Sequence, residues 1–231
     1  MIAKKVRQSR SVSELVERLA AHFPEGTPTE QTVRDQGFSF YKHHWTDRWP
    51  STLADPPVLG GSGDTRATRQ SLLGSADLVR TDDDAVDFYV RVCSWGAGTK
   101  AQRIARCVKP LHQPGAVRSL MEARRMVRSG DVLGAYAAMW RGGDYRIKHL
   151  GPAFFTKWLY FSTYEGWDSM TPAPLILDAR VANALGWWPY GWSAQDYETY
   201  LERAEKVRQQ WCPDSSTHVI EYALFKLGAK D

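Results

Sequence analysis

The stretch that decides the fold is residues 144–186, DYRIKHLGPAFFTKWLYFSTYEGWDSMTPAPLILDARVANALG. Within it, DYRIKHL and FFTKWLYF have the composition of short helices, and Leu150, Gly151, Pro152 and Ala153 separate them. A glycine followed by a proline ends one helix and starts another. The sequence therefore predicts a helix-hairpin-helix motif over residues 144–163.

The hairpin residues are suited to contact an anion. Gly151 permits a positive φ or a close approach of another backbone, and Pro152 fixes the next φ. The second helix then begins with free N–H groups and a positive dipole end, where a DNA phosphate can dock. We expect Gly151 and Ala153 in the hairpin, together with the neighbouring Lys148, to bind DNA.

Two ionisable residues in this stretch carry the candidate chemistry. Lys157 is expected in the first turn of the second helix among aromatic residues, where desolvation and the helix dipole favour the neutral, nucleophilic amine. Asp178 follows Leu175–Leu177 and precedes ARVANALG, so we expect it to cap the next helix. The alternatives are a lysine that only covers aromatic neighbours and an aspartate that is only a cap.

A hairpin leading into the pair Thr156–Lys157, with an aspartate at a helix start about twenty residues later, resembles the helix-hairpin-helix DNA glycosylases. The resemblance is to their 8-oxoguanine glycosylase branch, and it covers residues 144–186. It implies that Lys157 attacks the anomeric carbon, that Asp178 supports it, and that Arg180 contacts a phosphate. The hairpin departs from the usual Leu-Pro-Gly-Val-Gly pattern, because HLGPAFF has one glycine.

The rest of the chain is predicted to be helical, so we expect an all-α fold. Segments such as DDDAVDFYVRVCSW and PGAVRSLMEARRMVRSG have acids or proline at the start, glycine at the end and apolar residues at helical spacing. Residues 50–65 concentrate Pro, Gly, Ser and Asp and predict a loop. The resemblance implies one glycosylase domain, 1–231, with helical lobes at roughly 66–143 and at 1–50 plus 144–231, and the active site between them.

Composition sets the broad class. The 231 residues have a net charge of +4 and are 43% hydrophobic, as in an ordinary globular protein that tolerates an anionic partner. Three scattered cysteines without CxxC spacing indicate a reducing compartment. The charged start MIAKKVRQSR is followed by an amphipathic segment, not a signal-peptide core. We expect a cytoplasmic monomer with no membrane contact, no cofactor and no metal.

Three short segments resemble known binding motifs, but each lacks residues that its motif requires. TDDDAVD has no glycine at the sixth position of a calcium loop, and Cys93 stands where its bidentate glutamate belongs. WGAGTK lacks the spacing of a phosphate loop. His43, His44 and Asp47 do not form a complete set of metal ligands.

Aromatic residues are the expected surface for a flipped base. Phe161, one turn after Lys157, and the segment NALGWWPYGW after Asp178 are the prime candidates. The base pocket is expected to comprise Phe161, Trp158, Trp187, Trp188 and Trp211. Each of these aromatics could instead fill the core.

The partner predicted from the resemblance is double-stranded DNA with a modified base. We predict excision of a hypermodified phage base, such as glucosylated hydroxymethylcytosine, in antiviral defence. The alternatives are 8-oxoguanine repair with strand cleavage at the abasic site, a non-catalytic DNA-binding module, and a helical interaction protein without a nucleic acid partner.

Overall fold

Helices dominate the computed structural model, which describes residues 9–61, 66–163 and 172–229. The start of the chain and residues 62–65 of the predicted loop lie outside these ranges. Within them the helices are α1 (Val12–His22), α2 (Glu30–Arg34), α3 (His43–Thr46), α4 (Arg69–Ser75), α5 (Asp82–Ala97), α6 (Ala101–Val108), α7 (Ala116–Arg128), α8 (Val132–Met139), α9 (Pro152–Ser162), α10 (Ala179–Ala184), α11 (Ala194–Trp211) and α12 (Thr217–Leu227). The predicted all-α class is confirmed.

Local caps explain where several helices start. Ser11 and Glu14 form a capping box at the start of α1, each side chain bonding to the other's backbone N–H. Ser193 and Asp196 do the same at α11. These short-range bonds satisfy N–H groups that lack an intrahelical acceptor, which is why they can be predicted from spacing alone.

A two-stranded antiparallel sheet interrupts the helices, and the sequence did not predict it. β1 (Gly37–Ser39) pairs with β2 (Arg66–Thr68), with Gly37 opposite Thr68. A three-residue strand is too short to show the alternation that identifies strands in a sequence. Because β2 leads directly into α4, the sheet fixes the entry to that helix.

The core is built around α9. This helix packs against α4, α5, α7 and α8, and all residues from Phe155 to Ser162 are buried. Burial on every side is typical of a central helix. Lys157 is thus held within the core, and its side chain has a fixed environment.

The hairpin before α9 differs from the prediction in three respects. Residues 144–150 form turns instead of a helix, with bonds such as Leu150 N–H to the Ile147 carbonyl. A seven-residue segment behind two glycines makes too few bonds to offset helix nucleation. The positive φ belongs to His149, at 71°, whereas Gly151 is extended at −90°.

The third difference concerns Lys157. It lies in the second turn of α9, since the helix begins at Pro152. The influence of the helix dipole falls off within the first turn. The dipole of α9 therefore acts on this position more weakly than the sequence predicted.

Other predictions about the whole chain have mixed outcomes. All three cysteines are buried and unpaired. No helix in the described ranges has the length and apolar character needed to cross a membrane. The division into two lobes and the monomeric state stay predictions.

Candidate active site

The predicted catalytic pair meets in the structure. The Lys157 Nζ lies 3.2 Å from Asp178 Oδ2 and donates a second hydrogen bond of 2.7 Å to the Ala153 carbonyl, one turn earlier in α9. The two side chains are only 6% and 15% exposed. Two residues that are 21 positions apart therefore form an ion pair that is largely withdrawn from water.

Asp178 performs two tasks with its two oxygens. Oδ1 accepts the N–H groups of Arg180 and Val181 at 3.0 and 3.2 Å, which confirms the predicted N-cap of α10, while Oδ2 faces Lys157. Burial by itself raises the pKa of the Asp178 carboxyl. The Lys157 ammonium and the capped N–H groups outweigh burial and hold that pKa below its ordinary 3.8. Asp178 is therefore ionised at neutral pH.

Hydrogen bonds to α9 and α11 fix the extended segment that delivers Asp178. Thr156 Oγ1 accepts the Leu177 N–H at 3.0 Å. The Tyr197 hydroxyl accepts from the Leu175 N–H and donates to its carbonyl. Thr156 immediately precedes Lys157, so one helical turn sets the positions of both members of the pair.

A buried ion pair contacts α9 further along the helix, through Tyr160. Arg69, which is fully buried, lies 2.6 Å from Glu221 of α12 and donates to the Tyr160 hydroxyl at 2.6 Å and to Gln36 at 2.7 Å. Burial raises the pKa of Glu221 despite the opposing Arg69 guanidinium. Neither Arg69 nor Glu221 was singled out in the sequence, because charged residues at single positions do not reveal a buried partner.

Gly96, near the end of α5, lies against Lys157. A Cβ at this position would lie 2.9 Å from Lys157 Cδ, 3.1 Å from Cε and 3.2 Å from the ring of Phe154. Contacts this short require neighbouring atoms to move. Glycine therefore leaves the space through which the Lys157 side chain extends toward Asp178.

We predict that Gly96→Ala lowers the rate of base release about 100-fold while the protein stays folded. A displacement of a reacting group by about 1 Å can have an effect of this size. The matched control is Gly74→Ala in α4, where an added Cβ meets nothing within 4 Å. Single-turnover base release and thermal unfolding measure both variants. Equal rates for the two variants would contradict a positioning role for Gly96.

The predicted DNA-binding residues lie on the turn before α9, at the start of α9 and at the start of α10. Gly151 is exposed. The Ala153 carbonyl accepts a hydrogen bond from Lys157 Nζ. The Ala153 N–H lies in the first turn of α9, where N–H groups lack an acceptor four residues earlier in the helix. Arg180, two residues beyond Asp178, is exposed and stacks on Phe225 with 4.6 Å between guanidinium and ring centroid. Lys148 is exposed on the turn before α9. Contact of these residues with phosphate stays a proposal.

Two of the predicted base-pocket residues are core side chains. Trp158 is 1% exposed and donates to the Leu120 carbonyl at 2.9 Å. Phe161 is 0% exposed and meets Trp95 edge-on at 5.1 Å. Both side chains therefore fill the core, as the alternative interpretation of the sequence allowed, because α9 is buried on all sides.

The other predicted pocket aromatics are more accessible than Trp158 and Phe161. Trp187 is half-buried and donates to Ser9 Oγ at 2.9 Å, whereas Trp188 is 43% exposed. Trp211 packs against Phe23 at the end of α11, with ring centroids 5.8 Å apart. The structure does not bring these three rings and the buried pair into one pocket.

A cavity of about 930 Å³ lies between α2, α11 and the start of α12. Its lining includes Glu30, Arg34, Glu202 and His218, but neither Lys157 nor Asp178. In the described parts of the chain, no group of three or more His, Cys, Asp or Glu side chains is arranged to hold a metal ion.

Residues 31–225 match the family described as "Putative 8-oxoguanine DNA glycosylase OGG-like protein". The match spans most of the chain, which therefore belongs to this family of OGG-like DNA glycosylases. No curated protein and no solved structure gives a significant match. The family and the geometry together make the Lys157–Asp178 pair the candidate active site.

Proposed function

We propose that the protein removes a modified base from double-stranded DNA, with Lys157 as the nucleophile and Asp178 as its proton acceptor. One observation carries the proposal: a largely buried amine lies 3.2 Å from an ionised carboxylate in a chain of the OGG-like family. An ordinary surface lysine would have neither the desolvation nor the fixed partner.

The first steps follow from the positions of the two groups. Lys157 passes one proton to Asp178 Oδ2, which leaves a free electron pair on Nζ. That nitrogen attacks C1′ of the target nucleotide, the bond from C1′ to the base breaks, and the base leaves with the bonding electrons. Asp178 then returns its proton to the departing base.

The covalent product provides a route to strand cleavage. The C1′–O4′ bond then breaks as Nζ gives one proton to O4′ and forms a protonated imine with C1′, which opens the sugar ring. Loss of a proton from C2′ expels the 3′ phosphate by β-elimination, and water releases Lys157 from the product. Because borohydride reduces an imine to a stable amine, it would trap the enzyme on DNA.

The target nucleotide must leave the duplex to reach this site, because C1′ and the base are shielded in stacked DNA. The pair has low exposure, so the surrounding surface has to open when DNA binds. Phe154 and Gly96 lie against the lysine and form part of the wall that the flipped sugar would meet.

The identity of the base is a separate proposal with two candidates. The family description favours 8-oxoguanine and a role in repair. Glucosylated hydroxymethylcytosine is the candidate for a role in antiviral defence, favoured by the altered hairpin and by the aromatic segment after α10. In that segment Trp188 and Tyr190 are 43% and 70% exposed.

The test is base release from defined substrates. Purified protein is incubated with a duplex carrying 8-oxoguanine, with phage DNA carrying glucosylated hydroxymethylcytosine, and with unmodified DNA. Released bases are measured by mass spectrometry and abasic sites by alkaline cleavage. We expect release from one modified substrate and none from unmodified DNA. Tight DNA binding with no release from any substrate, and unchanged by Lys157→Ala, would favour a non-catalytic module instead.

A further inference from the structure

One stretch of the chain concentrates positive charge. Residues 88–121 contain six Lys and Arg residues and no Asp or Glu, whereas the whole protein has a net charge of only +4. Arg91 is paired with Asp87 at 2.6 Å. The other cations of the stretch lie on or near α6 and α7.

Helix α6 turns these cations toward solvent. Ile104, Cys107 and Val108 are its buried side. The exposed residues on and beside it are Lys100, Gln102, Arg103, Arg106 and Lys109. None of these four cations forms an ion pair with another residue in the described ranges. We call this set the basic face of α6.

The basic face begins next to the candidate active site. Gly96 touches Lys157, and α6 starts at Ala101, five residues further along the chain. The Tyr89 hydroxyl in α5 donates to the carbonyl of Cys107, near the end of α6, at 2.8 Å. Helix α6 therefore runs back along α5. The basic face therefore belongs to a helix that packs along α5, the helix that contacts Lys157 through Gly96.

We infer that the basic face of α6 binds the phosphates of DNA that flank the flipped nucleotide. The inference rests on the proposed function, which places DNA at Lys157. Surface cations that form no ion pair within the described residues match a polyanion, and arginine can hold a phosphate through two parallel hydrogen bonds. This face would add a second set of contacts to those proposed for Lys148 and Arg180.

The salt dependence of DNA binding tests this inference. Dissociation constants are measured from 50 to 300 mM KCl for a duplex with a tetrahydrofuran abasic analogue, which the protein cannot cleave at a glycosidic bond. The test variant is Arg103→Ala/Arg106→Ala. The control, Arg18→Ala/Lys206→Ala, removes the same charge from exposed positions on α1 and α11.

Each phosphate contact contributes about 0.9 to the slope of log Kd against log salt. We expect the test variant to lose about 1.8 from the slope and the control to keep the wild-type value. Equal slopes for the test variant and the wild type, or equal losses in both double variants, would overturn the inference.

The two proposals fail in different ways. A wild-type protein that binds the duplex but releases no base from any substrate contradicts the proposed function and leaves the slope comparison intact. An active wild-type protein with an unchanged slope in the test variant contradicts only the basic face. Lys100→Ala/Lys109→Ala repeats the comparison with the other two cations, and we expect a loss of similar size.

Discussion

Lys157→Gln is expected to lower the rate of base release by on the order of 10³-fold or more, because the variant has no amine to attack C1′. Borohydride trapping should disappear completely. Glutamine keeps a polar side chain of similar length that can still bond to the Ala153 carbonyl. We therefore expect the variant to fold, as thermal unfolding would show.

Two further variants separate the charge of Lys157 from its nucleophilicity. Lys157→Arg keeps a cation near Asp178, but a guanidinium does not lose its proton in proteins. It should be as inactive as Lys157→Gln. Lys206→Gln makes the same change at an exposed position of α11 and should behave as the wild type. An active Lys157→Arg variant would show that the positive charge, not the amine, is what matters.

Asp178→Asn is expected to lower the rate of base release by about 10²- to 10⁴-fold, the contribution typical of a positioned proton acceptor. Asparagine is as good an N-cap as aspartate, so it can still accept the N–H groups of Arg180 and Val181. It cannot take a proton from Lys157. The variant thus removes one of the two tasks of this residue and keeps the other.

Asp178→Ala removes both tasks and serves as the comparison. It should be as inactive as Asp178→Asn, but less stable by about 1 kcal/mol, the usual effect of losing an N-cap. Single-turnover kinetics measure the rate of base release in both variants, and thermal unfolding measures their stability. A wild-type rate in Asp178→Asn would mean that Asp178 only caps α10.

The sequence predicted those parts of the site that depend on local bonds. Asp178 before ARVANALG was identified as an N-cap because capping is a contact between near neighbours. Lys157 was identified by its surroundings in the sequence, and the structure confirms that the two residues meet. Their separation of 21 residues could be matched to a return of the chain only through the family resemblance.

The parts that depend on packing could not be predicted in the same way. Trp158 and Phe161 were expected at a base pocket, but α9 is buried on all sides, so its aromatics fill the core. Periodicity cannot identify a helix face when every face is covered. Gly96 was missed because it lies about 60 residues from Lys157 in the sequence, and only the packing of α5 on α9 brings them together.

The backbone conformation of the hairpin could not be predicted from its residue types either. Gly151 was expected to take the positive φ, since glycine does so without a penalty. Instead His149 takes it, and the chain reaches α9 through turns that satisfy their own hydrogen bonds. A residue type indicates which backbone conformations are possible, and the surrounding structure decides which one is used.

Mapping the covalent adduct tests the central claim most directly. The protein is incubated with its cleavable substrate in the presence of borohydride, digested with a protease, and sequenced by mass spectrometry to find the residue that carries the reduced sugar. We expect the modification on Lys157. An adduct on a different amine, with Lys157 unmodified, would contradict it.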